Sequence, residues 1–295
     1  MSLIEKAVER LDGLHPKADR ADALVRRESL PPTIETDADR DFGGSLDEPS
    51  GTATAIQVTL DLLKLHASGI VTPDQPKTLT AEEFRILKRP LLTNVATPAA
   101  PIRNANLIMV TSSLPGEGKS FTAINLAISI AMELDRTVLL VDADVARPSI
   151  PRVLGFPDHK GLLDVLQDKS LKLSDVLLKT NIAKLSILSA GTKDAHSTEL
   201  LASEGMGRLL NEMSRRYADR IIIFDSPPLL LTTESRVLAT KMGQVVFVVR
   251  ADETPRNAVK EALDTIEACP VKLMVLNQAR NIDGMAYGYE YGYGY

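Results

Sequence analysis

Six short apolar runs, rich in Val, Ile and Leu, alternate with longer segments from residue 106 onwards in this 295-residue chain. They are NLIMVTSS, RTVLLVDAD, KLSILSA, DRIIIFDSP, QVVFVVRAD and VKLMVLNQ. The intervening segments are long enough for crossover helices, and apolar strands separated by helices are typical of a parallel sheet covered on both faces. The pattern therefore predicts a doubly wound, mostly parallel α/β domain over roughly residues 100–280.

The first run leads into SSLPGEGKSFTAINLAISIA, which has the order strand, glycine-bearing loop, helix. This is the context of a P-loop, in which glycines let backbone N–H groups turn toward a phosphate at a helix N-terminus. Lys119 is expected against the β- and γ-phosphates of ATP, with Ser120 as a ligand of Mg²⁺. A glycine turn that only caps the helix would leave Lys119 unexplained. The predicted nucleotide-binding residues are Ser113 (where the strict pattern has glycine), Leu114, Pro115, Gly116, Glu117, Gly118, Lys119, Ser120 and Phe121.

Aspartates end two further apolar runs, in VLLVDAD and IIIFDSPP. Ligands of open α/β sheets bind beyond the carboxyl ends of the strands, so these aspartates are expected near the P-loop. They can hold Mg²⁺ or accept a hydroxyl proton, although aspartates at strand ends are also common turn formers. The predicted catalytic residues are Lys119, Asp142, Asp144 and Asp225, and the predicted ligands of Mg²⁺ are Ser120, Asp142 and Asp225.

Five of the six tyrosines lie in the last nine residues, YGYEYGYGY. Three glycines make an edge strand costly there, so a disordered tail is predicted. A sticky low-complexity end and a partner-docking tail are alternatives, but a P-loop in the same chain favours phosphate acceptors. The predicted phosphoacceptors are Tyr287, Tyr289, Tyr291, Tyr293 and Tyr295.

The N-terminal part of the chain has a different composition. Apolar residues in MSLIEKAVERLDGL repeat at helical spacing, and residues 16–53 have the Pro-, Gly- and Asp-rich composition of a flexible linker. A helix that stops at Gly69 is then predicted from the spacing of Ile56, Leu60 and Leu63.

One more helix is predicted before the α/β domain. Thr80 and Glu83 have the spacing of a capping box, so this helix should start near residue 81, and Pro90 should end or kink it.

Composition excludes several classes of function. The net charge of -5 provides no basic surface for nucleic acid, and the single cysteine, Cys269, fits a reducing compartment and a place in the core. The chain has no apolar run near the roughly 20 residues that cross a bilayer, and the charged N-terminus is unlike a signal peptide. A cytoplasmic protein is therefore expected.

Together, these motifs resemble the bacterial tyrosine kinases, which use a P-loop rather than the eukaryotic kinase fold. The resemblance covers roughly residues 80–295 and is greatest to the branch associated with exosortase-linked exopolysaccharide systems. This chain has Ala146 and then Arg147 where the family often places a basic residue two places after the second aspartate. The matching residues are PGEGKS at 115–120 (Walker A), VLLVDAD at 138–144 (Walker A′), IIIFDSPP at 221–228 (Walker B) and the terminal tyrosines.

The resemblance implies a Mg²⁺- and ATP-dependent tyrosine autokinase that modifies its tail between subunits to regulate exopolysaccharide polymerisation and export. Asp142 would orient or deprotonate the tyrosine hydroxyl while Asp144 and Asp225 organise the metal, and which aspartate is the base stays open. The implied division is an arm with short helices and a linker over 1–79, a P-loop kinase domain over 80–280, and the tail over 281–295.

Partners are also implied by the resemblance. Within AEEFRILKR, Glu82 and Arg85 match the family's oligomerisation element Glu-x-x-Arg-x-x-Arg, but Lys88 at its last place lacks arginine's bidentate fork. A solvated helix face is the alternative interpretation. The expected partners are further copies in a homo-oligomer that can form a ring, a cognate tyrosine phosphatase, and a membrane polysaccharide co-polymerase (chain-length determinant protein) as activator. The last would hold the chain at the inner face of the plasma membrane.

The main alternative is a Min/Par-type switch ATPase without kinase activity, since such proteins share the fold and the Walker motifs. Their P-loops carry a signature lysine where this chain has Leu114. A protein that binds nucleotide without turnover is a third possibility.

Overall fold

The computed structural model describes residues 56–97, 102–193, 195–216 and 219–279. Within these residues, eight strands form one sheet in the order β1-β4-β5-β3-β6-β2-β7-β8. The predicted N-terminal amphipathic helix, the linker and the tyrosine tail lie outside the described residues. The strands are β1 (Gln57–Val58), β2 (Leu107–Ser112), β3 (Thr137–Asp142), β4 (Leu178–Thr180), β5 (Leu185–Leu188), β6 (Arg220–Asp225), β7 (Gln244–Arg250) and β8 (Val271–Asn277).

Ten helices accompany the sheet in this part of the chain. None of them has both the length and the apolar character that crossing a bilayer requires. They are α1 (Leu62–Ala67), α2 (Leu79–Ala96), α3 (Lys119–Ala131), α4 (Ile150–Leu154), α5 (Leu162–Gln167), α6 (Leu173–Val176), α7 (Ser197–Ala202), α8 (Glu204–Arg216), α9 (Thr233–Ala239) and α10 (Arg256–Asp264).

The sheet is mostly parallel, as predicted. Only the pair β4–β5 is antiparallel, and β1 is parallel to β4. All other pairs are parallel, and the six predicted apolar runs are β2, β3, β5, β6, β7 and β8. Strands β1 and β4 were not predicted, because strands of two and three residues are too short to leave an apolar pattern.

Alternate residues of the central strands enter two separate cores, one on each face of the sheet. In β2, Ile108 and Val110 pack in the first core, on the face covered by α2 and α3, whereas Leu107 and Met109 pack in the second core, on the face covered by α8 and α9. Side chains of a strand point alternately to opposite faces, so a strand buried on both faces is apolar throughout. The prediction of helices on both faces is confirmed.

The segment before α2 joins the same sheet. Strand β1 pairs with β4, and Leu60 and Leu65 are buried in the first core. The predicted apolar face is wrong, since Leu63 is 78% exposed and the helix begins only after Asp61, whose carboxylate caps it. The predicted stop at Gly69 is confirmed by its left-handed φ of 81°. The domain division at residue 80 stays a prediction.

Helix α2 differs from its prediction at both ends. It is capped by Thr78, whose side chain accepts the N–H of Ala81, rather than by Thr80. Pro90 lies inside the helix, which continues to Ala96. Packing of Phe84 and other α2 residues in the first core offsets the backbone hydrogen bond that a proline lacks.

Candidate active site

The carboxyl ends of β3, β6 and β2 meet at one edge of the sheet. Asp142 of β3 is paired in register with Asp225 of β6, and Asp225 is paired with Val110 of β2. The P-loop begins directly after Ser112, the last residue of β2. Topology therefore brings together the loop and the two aspartates that the sequence places about 30 and 110 residues away from it.

The loop adopts the conformation that its glycines permit. Gly116 and Gly118 have φ values of 82° and 95°, in the left-handed region that other residues avoid. Gly118 caps α3, which starts at Lys119, so the first N–H groups of this helix have no intrahelical partner. A loop of this kind at a helix N-terminus is suited to bind phosphate.

The side chains of the predicted nucleotide loop point in different directions. Lys119 is 8% exposed at the start of α3, and Ser113 is buried with a hydroxyl that has no partner among the described residues. The ring of Phe121 packs edge-on against Phe84 of α2, with centroids 6.3 Å apart. The Phe121 side chain therefore belongs to the scaffold rather than to the loop surface.

Two wholly buried carboxyl groups lie beside the loop. Asp142 accepts the N–H groups of Ser149 and Ile150 through Oδ2, each at 3.0 Å. Its Oδ1 and both oxygens of Asp225 have no hydrogen-bond partner among the described residues. Burial raises the pKa of Asp142 to about 8, and the charge of Asp225 adds to this effect. Burial raises the pKa of Asp225 to about 7, against the lowering effect of the nearby Ser120 hydroxyl and Lys119 ammonium.

These oxygens fit a magnesium ion. Mg²⁺ prefers oxygen ligands and usually keeps several waters, with one or two carboxylates and substrate phosphates completing its shell. The open oxygens of Asp142 and Asp225 and the hydroxyl of Ser120 are such ligands. The described residues contain no cluster of three or more Asp, Glu, His or Cys side chains that could hold a metal alone, and water and phosphate oxygens would complete the shell of such an ion.

Ser149 was not predicted from the sequence, although it joins two parts of the site. Its N–H group bonds Asp142, and its hydroxyl donates to Ser120 Oγ at 2.9 Å. No spacing in the sequence relates Ser149 to Ser120, because the contact depends on how α4 follows β3.

Asp144 occupies the rim of the site. Its Oδ1 accepts the N–H of Arg147 at 3.1 Å. Burial raises the pKa of Asp144, although the Arg147 N–H and the positive charge of Lys119 lower it. Glu234 of α9, buried to 6% exposure, also raises this pKa, and its place in the site was missed because α9 is remote in sequence.

Glu117 turns away from the loop surface. It is 2% exposed, and its carboxylate accepts hydrogen bonds from the Leu114 N–H and the Thr254 hydroxyl. Next to this contact lies a cavity of about 350 Å³ lined by Arg250, Ala251, Asp252, Glu253 and Gln278.

The three predicted oligomerisation residues do not share a surface. Glu82 and Arg85 form an ion pair on the exposed side of α2. Lys88 is buried, and its ammonium donates to the Ser129 carbonyl at 2.6 Å and pairs with Glu133 at 2.7 Å. A side chain with these intramolecular contacts is not available to a partner, so the structure does not bring Lys88 into the predicted contact surface.

Comparisons with known proteins concern the chain as a whole. Residues 103–277 match the ParA family model, described as NUBPL iron-transfer P-loop NTPase. The chain is 31% identical over 222 residues to tyrosine-protein kinase YwqD of Bacillus subtilis, an alignment that covers 75% of this chain and 90% of that protein. It is also 27% identical to tyrosine-protein kinase Wzc of Salmonella typhimurium, of which it covers only 32%.

A solved structure supports the same relationship. The kinase domain of the Escherichia coli tyrosine kinase ETK has a TM-score of 0.63 and 25% identity, over 82% of this chain and 94% of that one.

Proposed function

This chain belongs to the P-loop NTPases of the ParA family model and, among them, to the bacterial tyrosine-protein kinases, and we propose that it transfers the γ-phosphoryl group of ATP to its own C-terminal tyrosines. Membership confirms the resemblance to that family, while the exopolysaccharide branch stays a prediction. The observation that carries the proposal is the meeting of a P-loop with two buried carboxyl groups, those of Asp142 and Asp225, three of whose four oxygens have no partner among the described residues.

In the proposed reaction the P-loop binds the phosphates and Lys119 stabilises the charge of the transferring group. When bound, Mg²⁺ would be held by Ser120 and Asp225, with Asp144 supporting the site, and would neutralise charge on the β- and γ-phosphates. Asp142, which was also a predicted Mg²⁺ ligand, has one open oxygen, and this proposal gives that oxygen to the proton instead. The tyrosine oxygen bonds to the γ-phosphorus as the bond from this phosphorus to the β–γ bridging oxygen breaks. ADP leaves, and the phenolic proton passes to a carboxylate.

We assign that proton to Asp142. Burial raises the pKa of Asp142 to about 8, which makes its carboxylate a stronger base than an exposed one. Two backbone N–H groups fix its Oδ2, so Oδ1 is left to face the incoming hydroxyl.

The acceptors in this proposal are Tyr287, Tyr289, Tyr291, Tyr293 and Tyr295. Strand β8 ends at Asn277, and the 18 residues from there to Tyr295 could span about 60 Å if extended. That length allows transfer to tyrosines of a neighbouring subunit in a homo-oligomer, including a ring. Five phosphotyrosines would add roughly -8 to -10 charges, so we expect phosphorylation to loosen the assembly.

The proposed setting is polysaccharide export. A membrane co-polymerase would activate the kinase at the inner face of the plasma membrane, and a tyrosine phosphatase would reset it. The support for this setting is that the chain belongs to the family of these kinases.

The test is the intact mass of the full chain after incubation with Mg·ATP. We expect stepwise additions of phosphate to the wild type, none to Lys119→Met and none to a chain that ends at Ala286. Lys64→Met is the matched control, because Lys64 is exposed on α1 and should leave labelling unchanged. ATP hydrolysis without any mass change would instead favour the switch ATPase.

A mixing experiment tests transfer between subunits. Lys119→Met retains the tail but lacks the lysine, whereas the chain ending at Ala286 retains the lysine but lacks the tail. Phosphate on the Lys119→Met chain in a mixture of the two supports transfer between subunits. An unlabelled mixture, with labelled wild type alongside, contradicts it.

A further inference from the structure

The carboxylate of Glu117 is bonded at both oxygens inside the protein. Oε2 accepts the Leu114 N–H at 2.5 Å, and Oε1 accepts the Thr254 hydroxyl at 2.5 Å. None of the ion pairs between described residues includes Glu117. The buried charge is therefore stabilised by hydrogen bonds that join the P-loop to the turn between β7 and α10.

Thr254 is itself held in place by the end of β7. The Arg250 N–H donates to Thr254 Oγ1 at 3.2 Å, and the Thr254 N–H donates to the Arg250 carbonyl at 3.1 Å. A hydroxyl has only one proton to donate, and here that proton is directed to Glu117. The P-loop is thus bonded to a turn that the sheet fixes.

The end of β8 contacts the loop from the same side. Asn277 Nδ2 donates to the Glu117 carbonyl at 2.9 Å, and Gln278 Nε2 donates to the Gly116 carbonyl at 3.4 Å. The contact is close, since a Cβ atom on Gly118 would lie 2.0 Å from Asn277 Nδ2. A side chain on Gly118 would be strained by the φ of 95° and would also displace the Asn277 amide from the loop.

These contacts orient the peptide groups of the loop. In a trans peptide, the C=O and the following N–H point in opposite directions. Holding the carbonyls of Gly116 and Glu117 toward β8 therefore turns the N–H groups of Glu117 and Gly118 away from it, to the side where a phosphate would bind.

We propose that Glu117, Thr254 and Asn277 are positioning residues that hold the P-loop in its phosphate-binding conformation before nucleotide arrives. This inference rests on the proposed function, since it names residues that act on the same nucleotide site through the P-loop. A loop already ordered binds phosphate without paying for its own ordering. Loss of one hydrogen bond to a charged group weakens an interaction about tenfold or more.

The test compares the Kd for Mg·ATP of full-length variants by calorimetry. Thr254→Val removes the hydroxyl at nearly constant volume, and we expect binding about tenfold weaker than the wild type. Thr254→Ser retains the hydroxyl and should restore affinity. Thr265→Val is the control, because it removes a hydroxyl from the end of α10 that bonds only locally, to the Ala262 carbonyl.

Two further variants test the other two positioning residues, Asn277 and Glu117. Asn277→Asp replaces the donor with an acceptor at constant shape and should weaken Mg·ATP binding in the same direction. Glu117→Gln keeps one oxygen acceptor, but its amide group then faces either the Leu114 N–H or the Thr254 hydroxyl, both of which donate to Glu117 in the wild type. Combined with Thr254→Val, it should weaken binding less than the sum of the single effects, since both changes break one contact.

Melting of the nucleotide-free variants separates positioning from general stability. The proposal would be overturned if Thr254→Val and Thr254→Ser had the same Kd for Mg·ATP. It would also be overturned if Thr265→Val lost as much affinity as Thr254→Val while the two variants had equal melting temperatures. Binding needs no phosphoryl transfer, so a wild type that gains no phosphate would contradict the proposed function while leaving this comparison intact.

Discussion

Charged side chains are buried in two regions of this molecule with opposite outcomes. Between α2 and α3, the ammonium of Lys88 is paired with Glu133 and the Ser129 carbonyl. At the carboxyl edge of the sheet, Asp225 is equally buried, but neither of its oxygens has a partner among the described residues.

The difference separates scaffold from site. Removing a charge from water is costly unless hydrogen bonds or an opposite charge compensate for it. Lys88 is compensated within the chain and fastens α2 to the helix that follows the P-loop. Asp225 has no such partner, and Asp142 is bonded at only one oxygen, so ionising these buried carboxyl groups has a cost that a bound cation would relieve. Buried carboxyl oxygens without partners thus indicate function here, whereas the paired ammonium indicates structure.

The largest expected effect is at the two buried aspartates of the site. Asp225→Asn should reduce phosphoryl transfer by about 10³-fold, because it removes charge aimed at the metal and the transferring group. The same change removes a buried carboxyl that has no partner among the described residues and is costly to ionise, so the melting temperature of the nucleotide-free protein should stay equal or rise. Intact mass after incubation with Mg·ATP and a melting curve measure the two quantities.

An exposed aspartate provides the control for that variant. Asp168→Asn lies in a surface turn and should change neither quantity. Full labelling of Asp225→Asn, or a large loss of its stability, would show that Asp225 is a structural residue like Lys88.

The next effect is at the paired charge and concerns stability. Lys88→Met leaves Glu133 without its main partner, and we expect a loss on the order of 3 kcal/mol in the free energy of unfolding. For a domain of this size, this is a fall of about 10 °C in the melting temperature. Lys64→Met is the matched control, since its pair with Asp61 is exposed and should contribute nothing measurable. Equal melting temperatures for the two variants would contradict the comparison.

Much of the sheet and the loop could be predicted from the sequence, because their signals are local. A strand buried on both faces is a continuous apolar run, and the P-loop needs its glycines and lysine in consecutive positions. The partners of Lys88 and Glu117 could not be predicted in this way. Ser129 lies 41 residues from Lys88, and Thr254 lies 137 residues from Glu117, so only the folded topology relates them.

The family pattern at α2 also could not predict that Lys88 is buried. It aligned Lys88 with an arginine of an oligomerisation element, but a pattern of spacings does not say which face of a helix is buried. Burial was decided by packing of Lys88 against α3, which the sequence of α2 alone does not contain.

A third prediction concerns the pH dependence of stability without metal. The pKa values of Asp142 and Asp225 are raised from an ordinary value of 3.8 to about 8 and about 7. Between these limits the folded protein retains protons that the unfolded chain loses. The free energy of unfolding should therefore fall as pH rises from about 4 to about 8 and then level off.

Urea unfolding in the presence of EDTA at several pH values measures this slope. The double variant Asp142→Asn, Asp225→Asn has no such carboxyls and should show a shallower decline than the wild type. If the free energy of unfolding had the same pH dependence in the two proteins, these carboxyls would titrate normally and their burial would not destabilise the metal-free protein.

The smallest expected effect is on the exposed side of α2. Arg85 pairs with Glu82 at the surface and donates to the Pro76 carbonyl at 3.3 Å, and exposed pairs of this spacing contribute about 0.2–0.5 kcal/mol. Arg85→Ala should therefore lower stability only slightly. If the exposed part of this helix mediates oligomerisation, Arg85→Ala should nevertheless reduce the assembled fraction seen by light scattering after size-exclusion chromatography. Lys88→Met, in contrast, should lower the melting temperature, because it breaks a contact inside the subunit. If Arg85→Ala leaves the assembled fraction unchanged, the exposed side of α2 does not mediate oligomerisation, and the role of this helix is to pack through Lys88 against the P-loop helix.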